Sequence, residues 1–279
     1  MFDYLKKRSS DNDKRGQVTI FIILAVLVVG GIVLYFLLSG GSGDSQEVSG
    51  NQDVQSPSAF LKSCMEDDVR RTLRRLGVRG GNFDSEDTIR FKFTNDSYTN
   101  GYTNISYLCY SASYFDTCNV LDPNFVGGLD EEIEGKVSSK FADCVSNLRD
   151  AYEDNGFDVR GPGYKRSNFY SNLSRGELSL GLKDTSWTLD KTNESAEIEN
   201  IGFSMFTRLH DIAMVSNEIV SQQANYCNFN EHSYTNLYNE YEISRTSAPN
   251  STWIFTVKHI NTNDVFRFAT RSCVPSPVL

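Results

Sequence analysis

Histidine is scarce, and the signatures of common enzyme chemistries are missing. Only three histidines occur in 279 residues, at His210, His232 and His259. That leaves little scope for imidazole acid–base work near neutral pH. No H-E-x-x-H, G-x-S-x-G, S-x-x-K or phosphate-loop pattern is present. Gly40-Gly41-Ser42-Gly43 follows no strand pattern, so it is not a dinucleotide-binding turn. There is no C-x-x-C pair to combine with the scattered histidines into a zinc site. The sequence therefore offers no catalytic, cofactor-binding or metal-ligating set. A glycosidase-type acid pair is defined by separation in space, which spacing along the chain does not address. Asp67, Asp68, Asp130, Glu131 and Glu132 are carboxylates to follow; the last three fit a helix start, where the dipole favours negative charge.

Charge is absent altogether from residues 18–38, VTIFIILAVLVVGGIVLYFLL. At about 1.5 Å per residue a helix of this length reaches roughly 31 Å, the thickness of a hydrocarbon core. Lys14 and Arg15 abut its N-terminal end, and no Lys or Arg follows until Lys62. By the positive-inside rule residues 1–17 form a cytoplasmic basic tail and the C-terminal part lies outside the cell. A removable secretory signal is the other reading, since Ser39-Gly40-Gly41-Ser42-Gly43 is small enough to be cut. The tail carries +2, so the rest of the chain carries −11. Such a surface repels nucleic acid, whose binding depends on neutralising phosphates.

The junction Lys14-Arg15-Gly16-Gln17-Val18-Thr19-Ile20-Phe21 resembles the class III signal peptide of archaeal type IV pilin-like proteins. In that family a basic residue, Gly and Gln precede the hydrophobic helix, and a peptidase cuts between the Gly and the Gln. The resemblance implies processing between Gly16 and Gln17. The family often carries an acidic residue five positions into the mature chain, where this sequence has Phe21.

Residues 39–58 are mostly Gly, Ser and small polar residues, which bury too little apolar surface to order themselves. A flexible linker of that length reaches about 25 Å on average. It suits a tethered ectodomain better than a pilin, whose helix runs straight into its head.

Residues 59–279 read as one extracellular α+β domain of about three helices and an antiparallel sheet. Ser58 is the expected cap of a first helix whose apolar face is Leu61, Met65, Val69, Leu73 and Leu76, ended by Gly77. A second helix is expected over 129–152, with Ile133, Val137, Phe141, Cys144, Leu148 and Tyr152 on one face. A third is expected over 204–224, burying Phe206, Leu209, Ile212, Ala213, Ile219 and Val220. Residues 89–93 alternate as a strand, as do Leu178, Leu180 and Leu182. Residues 253–259 and 265–270 read as a hairpin about Asn261-Thr262-Asn263-Asp264. Arg70, Arg71, Arg74 and Arg75, with Arg79 beyond, fit a solvated helix face, with Glu66 and Asp67 four residues before Arg70 and Arg71.

The layout is similar to a family of membrane-anchored proteins of small-genome archaea to which no activity is assigned. The shared landmarks are the Gly-Gln start, a Cys-bearing first helix leading to Gly80-Gly81, and Tyr107-Leu108-Cys109-Tyr110. An acidic-started helix from Glu131 to Cys144 and the run from Phe266 to Ser272 complete them. The resemblance implies a place at the cell surface and no mechanism.

All six cysteines lie beyond residues 18–38, which in an exported domain reads as disulfides. Six cysteines allow fifteen pairings. Cys64 and Cys144 share apolar helix faces, Cys109 and Cys118 flank a short loop, and Cys227 and Cys273 follow the third helix and the last strand. Those pairs are favoured; buried free thiols are the alternative.

Nine of the fourteen tyrosines fall in two windows: Tyr98, Tyr102, Tyr107, Tyr110 and Tyr114, then Tyr226, Tyr234, Tyr238 and Tyr241. Both windows are rich in Asn, Ser and Thr, a composition that gives recognition loops contact area at low entropy cost. Tyrosine is equally an ordinary half-buried strand residue. Five N-x-S/T sequons, at Asn95, Asn104, Asn172, Asn193 and Asn250, match chance for this composition. The leading expectation is a non-catalytic, membrane-anchored surface protein that binds a protein or glycan and holds lipid through residues 18–38. The alternatives are a pilin-like structural subunit and a tethered extracellular hydrolase.

Overall fold

Leu61, Met65, Val69, Leu73 and Leu76 form one buried stripe of helix α1 (Pro57–Val78) in the computed structural model. The structure describes residues 56–275 apart from Asn95, Asn193 and Asn263, all within one compact unit, Gln52–Leu279. The expected tail, the Gly16-Gln17 junction, the apolar segment 18–38 and residues 39–55 lie outside the described residues. Among the described residues no helix is long and apolar enough to cross a membrane.

Two details of α1 differ from expectation. Its cap is Ser56, whose hydroxyl accepts the Ala59 amide at 3.3 Å, with Pro57 just inside the helix. Gly77 does not end it. A Cβ there would collide with the Val265 carbonyl, so this glycine lets the helix lie against a strand. The stop comes at Gly80 and Gly81, with φ of +83° and +84°.

In chain order, β1 (Thr88–Phe91), β2 (Thr103–Tyr110) and the short β3 (Asn119–Val120) follow. Helix α2 (Phe125–Asp154) buries Ile133, Val137, Phe141, Cys144, Leu148 and Tyr152. Next come β4 (Asp158–Arg160), β5 (Phe169–Ser174), β6 (Glu177–Leu182), β7 (Ser186–Lys191), β8 (Glu194–Glu199) and β9 (Gly202–Phe206). Helices α3 (Leu209–Tyr226) and α4 (Glu231–Leu237) precede β10 (Tyr241–Ala248), β11 (Thr252–His259) and β12 (Val265–Arg271).

Among the described residues the fold is thus α+β with four helices, and it has three sheets where one was expected. The main sheet runs β1-β2-β12-β11-β10, with β3 on β2. Two three-stranded sheets, β4-β7-β8 and β5-β6-β9, lie beside it in sequence. Every described strand pair is antiparallel except β2 with β12. The expected third helix begins too early: residues 204–206 belong to β9, with Phe203 and Met205 buried and Phe206 56 % exposed. A two-residue alternation there outweighs the helical spacing that Phe206 shares with Leu209.

Strand β12 is buried along its whole length. Phe266 and Phe268 join the core beneath the helices, where α1 and α3 pack on this strand. Arg267, Ala269 and Arg271 alternate with them onto the opposite face. Three disulfides tie the unit together: Cys64–Cys144 joins α1 to α2, Cys109–Cys118 closes the loop after β2, and Cys227–Cys273 joins the end of α3 to the end of β12. These are the pairs that the helix faces and loop spacing favour. Each restricts the unfolded chain and adds about 2–4 kcal/mol.

Candidate functional site

The first tyrosine window folds over the arginines of β12. A turn after β1 is built by Asp96, whose carboxylate accepts the amides of Tyr98 at 3.2 Å and Thr99 at 3.1 Å and the Thr99 hydroxyl. Both oxygens of that carboxylate receive the Arg267 guanidinium, at 2.7 Å each, and both side chains are 4 % exposed. Such a paired fork is the strong geometry for a desolvated arginine. Burial pushes the Asp96 carboxyl up, but Arg267, Thr99 and Tyr98 together outweigh it and hold it well below the usual carboxylate range. Phe93 and Tyr98 present their rings to the same guanidinium, with centroids 4.1 and 5.3 Å away.

Arg271 has a comparable setting at the far end of the strand. It donates to the carbonyls of Ser111 and Asn250 and lies 5.7 and 5.8 Å from the rings of Tyr110 and Tyr114. The register between β2 and β12 shifts here, Tyr107 facing Ala269 and Cys109 facing Thr270. The extra residue brings Tyr107 and Tyr110, three apart in sequence, into an edge-to-face pair at 5.1 Å. The Tyr107 hydroxyl shares a hydrogen with Thr252 at 2.8 Å, and Arg90 lies 4.7 Å over Tyr102. Tyr98, Tyr102, Tyr110 and Tyr114 therefore each face a cation from their own chain. This window is mainly architecture, although Tyr102 stays 64 % exposed.

The second window is assembled differently. Cys227 ends α3 in a left-handed conformation, φ 55°, and turns the chain back. Phe229 is buried and anchors the segment leading into α4, its ring 6.3 Å from Phe255 and 5.5 Å from Tyr234. Asn230 caps α4 through the Ser233 amide at 3.0 Å. The helical i, i+4 spacing then sets Tyr234 and Tyr238 against each other at 4.8 Å. A turn closed by Tyr241 N–H donating to the Tyr238 carbonyl brings in Tyr241, which meets His259 edge-on at 5.9 Å. An aromatic ladder thus runs from the core to Tyr238, which is 47 % exposed, beside Leu237 at 78 %.

Acidic groups act on the tyrosines of this window. Burial raises the Tyr234 phenol, and Tyr238, Glu218, Tyr241 and Glu240 raise it further. Burial likewise raises Tyr241, with Asp211 and Glu240 adding to it and Arg208 and Arg175 opposing. Those two arginines are occupied by Asp211, at 2.8 and 3.7 Å. Among the described residues no lysine or arginine lies over the ring of Tyr226, Tyr234, Tyr238 or Tyr241; Arg245, on β10, covers Trp253 instead. Tyr226 stands apart on the last turn of α3, 76 % exposed. Sequence reasoning missed Phe229, Glu218 and Glu240. A lone aromatic between Cys227 and the polar run of α4 was the available signal.

The other polar residues serve the fold. Because α2 begins at Phe125 and not near 129, Asp130 and Glu132 are not at its first residues. Asp130 accepts the Leu173 amide and the Ser171 hydroxyl, Glu134 accepts the Ser171 amide, and Glu132 accepts the Phe83 amide. Burial raises the Asp130 carboxyl. Arg70 pairs with Glu66 at 2.7 Å, while Arg71 pairs with Asp68, one position from the expected Asp67. A shallow cleft of about 100 Å³ lies between Arg70, Arg74, Phe206, Thr207, Thr262 and Asp264. Among the described residues no group of three His, Cys, Asp or Glu is placed to hold a metal. Asn104, Asn172 and Asn250 are exposed. Comparison with protein-family models, curated proteins and solved structures finds no match for this chain.

Proposed function

We propose that the chain is a non-catalytic, membrane-anchored surface protein whose head binds a partner through Tyr234, Tyr238 and Tyr241. The observation that carries the reading is the contrast between the two windows. In the first the rings are taken up by Arg90, Arg267 and Arg271; in the second no lysine or arginine among the described residues lies over a ring, and the ladder ends at Tyr238, 47 % exposed. Partly exposed tyrosines held by a buried aromatic anchor give contact area at low entropy cost, which is what recognition surfaces use. Anchoring rests on the uncharged residues 18–38 with Lys14 and Arg15 before them.

A second reading, a pilin-like subunit, is favoured by the Arg15-Gly16-Gln17 junction. Mass spectrometry of the N-terminal peptide from separated membrane and sheared-filament fractions tests between them. A start upstream of Gln17, confined to membranes, supports the anchored binding protein. A start at Gln17 in the filament fraction overturns it.

A further inference from the structure

We infer that the partner group taken by the second tyrosine window is a cation, an arginine or lysine side chain of another protein, held between the Tyr238 ring and the Glu218 and Glu240 carboxylates. The inference rests on the binding role proposed above and names its chemistry.

Three observations converge on it. The first is geometric. Phe229, Tyr234 and Tyr238 are tilted against one another by 46° and 40°, and the outermost ring is 47 % exposed. An aromatic face reached from solvent attracts a cation through its quadrupole. The second is electrostatic. Glu240 stands two residues beyond Tyr238 in the turn before β10, and with Glu218 on α3 it adds to burial and Tyr238 in raising the Tyr234 phenol. Glu218 is exposed and accepts a hydrogen bond from its neighbour Gln222 at 2.8 Å, and no lysine or arginine pairs with it or with Glu240 among the described residues. The chain beyond residue 17 carries −11, so the wider field also draws in a positive partner.

The third observation comes from the molecule itself. Three other exposed tyrosines have a guanidinium of the chain over the ring, Arg90 at Tyr102 and Arg271 at Tyr110 and Tyr114, whereas Tyr226 has none among the described residues. At Tyr238 no lysine or arginine among the described residues takes that place, although Glu240 stands two residues away. A neutral sugar stacks on the ring and donates hydroxyls to the carboxylates but carries no charge for them to attract, and an acidic partner is repelled by them.

The test uses the full chain in lipid nanodiscs and labelled Gly/Ser peptides bearing several arginines, the same peptides with citrulline in their place, and a neutral glycan array. The arginine peptide is expected to bind and to weaken with added salt, as screening requires, and the citrulline peptide is not. Tyr238→Ala is expected to weaken binding about tenfold, Tyr238→Phe to retain it, and Glu240→Gln to weaken it several-fold. Glu194→Gln, on the exposed strand β8, is expected to leave it unchanged. An unaltered thermal midpoint in Tyr238→Ala shows that the fold is intact, and Tyr238→Phe with Glu240→Gln supplies the same comparison without removing a ring.

Equal weakening by Glu194→Gln and Glu240→Gln, with none by Tyr238→Ala, means diffuse acidity and overturns the inference. A glycan or citrulline peptide that binds through Tyr238 while the arginine peptide does not removes the cation and leaves the binding role standing. If no probe depends on Tyr238, both fall.

Discussion

Tyr98, Tyr102, Tyr110 and Tyr114 come from a stretch much like the one that holds Tyr234, Tyr238 and Tyr241, each rich in Tyr, Asn, Ser and Thr. The difference lies in what reaches them from elsewhere. Strand β12 delivers Arg267 and Arg271 beneath the first, and Asp96 closes the network from above. In the second, Tyr234 meets the Phe229 and Tyr238 rings, Glu218 and Glu240 add to the acidity around Tyr234, and no guanidinium lies over a tyrosine ring among the described residues. Composition alone therefore does not separate a structural tyrosine from one available to a partner. The distribution of guanidinium groups in space does.

The largest test of that difference is Asp96→Ala. It leaves Arg267 buried and unpaired, a fault that costs about 3–5 kcal/mol, readable as a lower urea midpoint. The same pair predicts a pH dependence. The Asp96 carboxyl titrates below its unfolded value of about 3.9, so its stabilisation is complete above that value and fades as pH falls through the acid range. Wild-type urea midpoints measured down an acid series should fall, and Asp96→Asn should flatten that slope. If the slope is unchanged, the pair does not govern the first window.

Next in size is the double variant Cys109→Ala with Cys118→Ala, which frees the loop carrying Tyr114. A loss of about 2–3 kcal/mol is expected, and limited proteolysis should cut within residues 110–118. Tyr107→Phe removes one half-buried hydrogen bond to Thr252 and should cost about 1 kcal/mol. Tyr238→Ala should change stability by no more than about 0.5 kcal/mol, as exposed positions do. A loss as large as that of Tyr107→Phe or larger would place Tyr238 in the architecture with the first window and erase the contrast.

Local periodicity carried much of the fold into view. The stripes of α1 and α2 are legible because each apolar side chain recurs at the helical pitch, and the Cys64–Cys144 bridge follows from the two faces meeting. The β11–β12 hairpin is legible because its partners are neighbours in sequence. What stayed hidden depends on distant partners. Residues 204–206 became strand because β6 pairs with them, and Gly77 is small because Val265 passes it. The cover on the first window was illegible for the same reason: Asp96 and Arg267 are 171 residues apart. The candidate site was half visible. Tyr234 and Tyr238 share a helical spacing, whereas Glu218 reaches them from another helix.

Strand β12 lies between β2 and β11, yet it is the last of the described strands to be made. Until residues 265–271 have left the ribosome, β2 and β11 have no common neighbour. Cys227 has no bonding partner until Cys273 is made. Pairing β2 with β12 joins segments more than 150 residues apart, a non-local closure that is intrinsically slow.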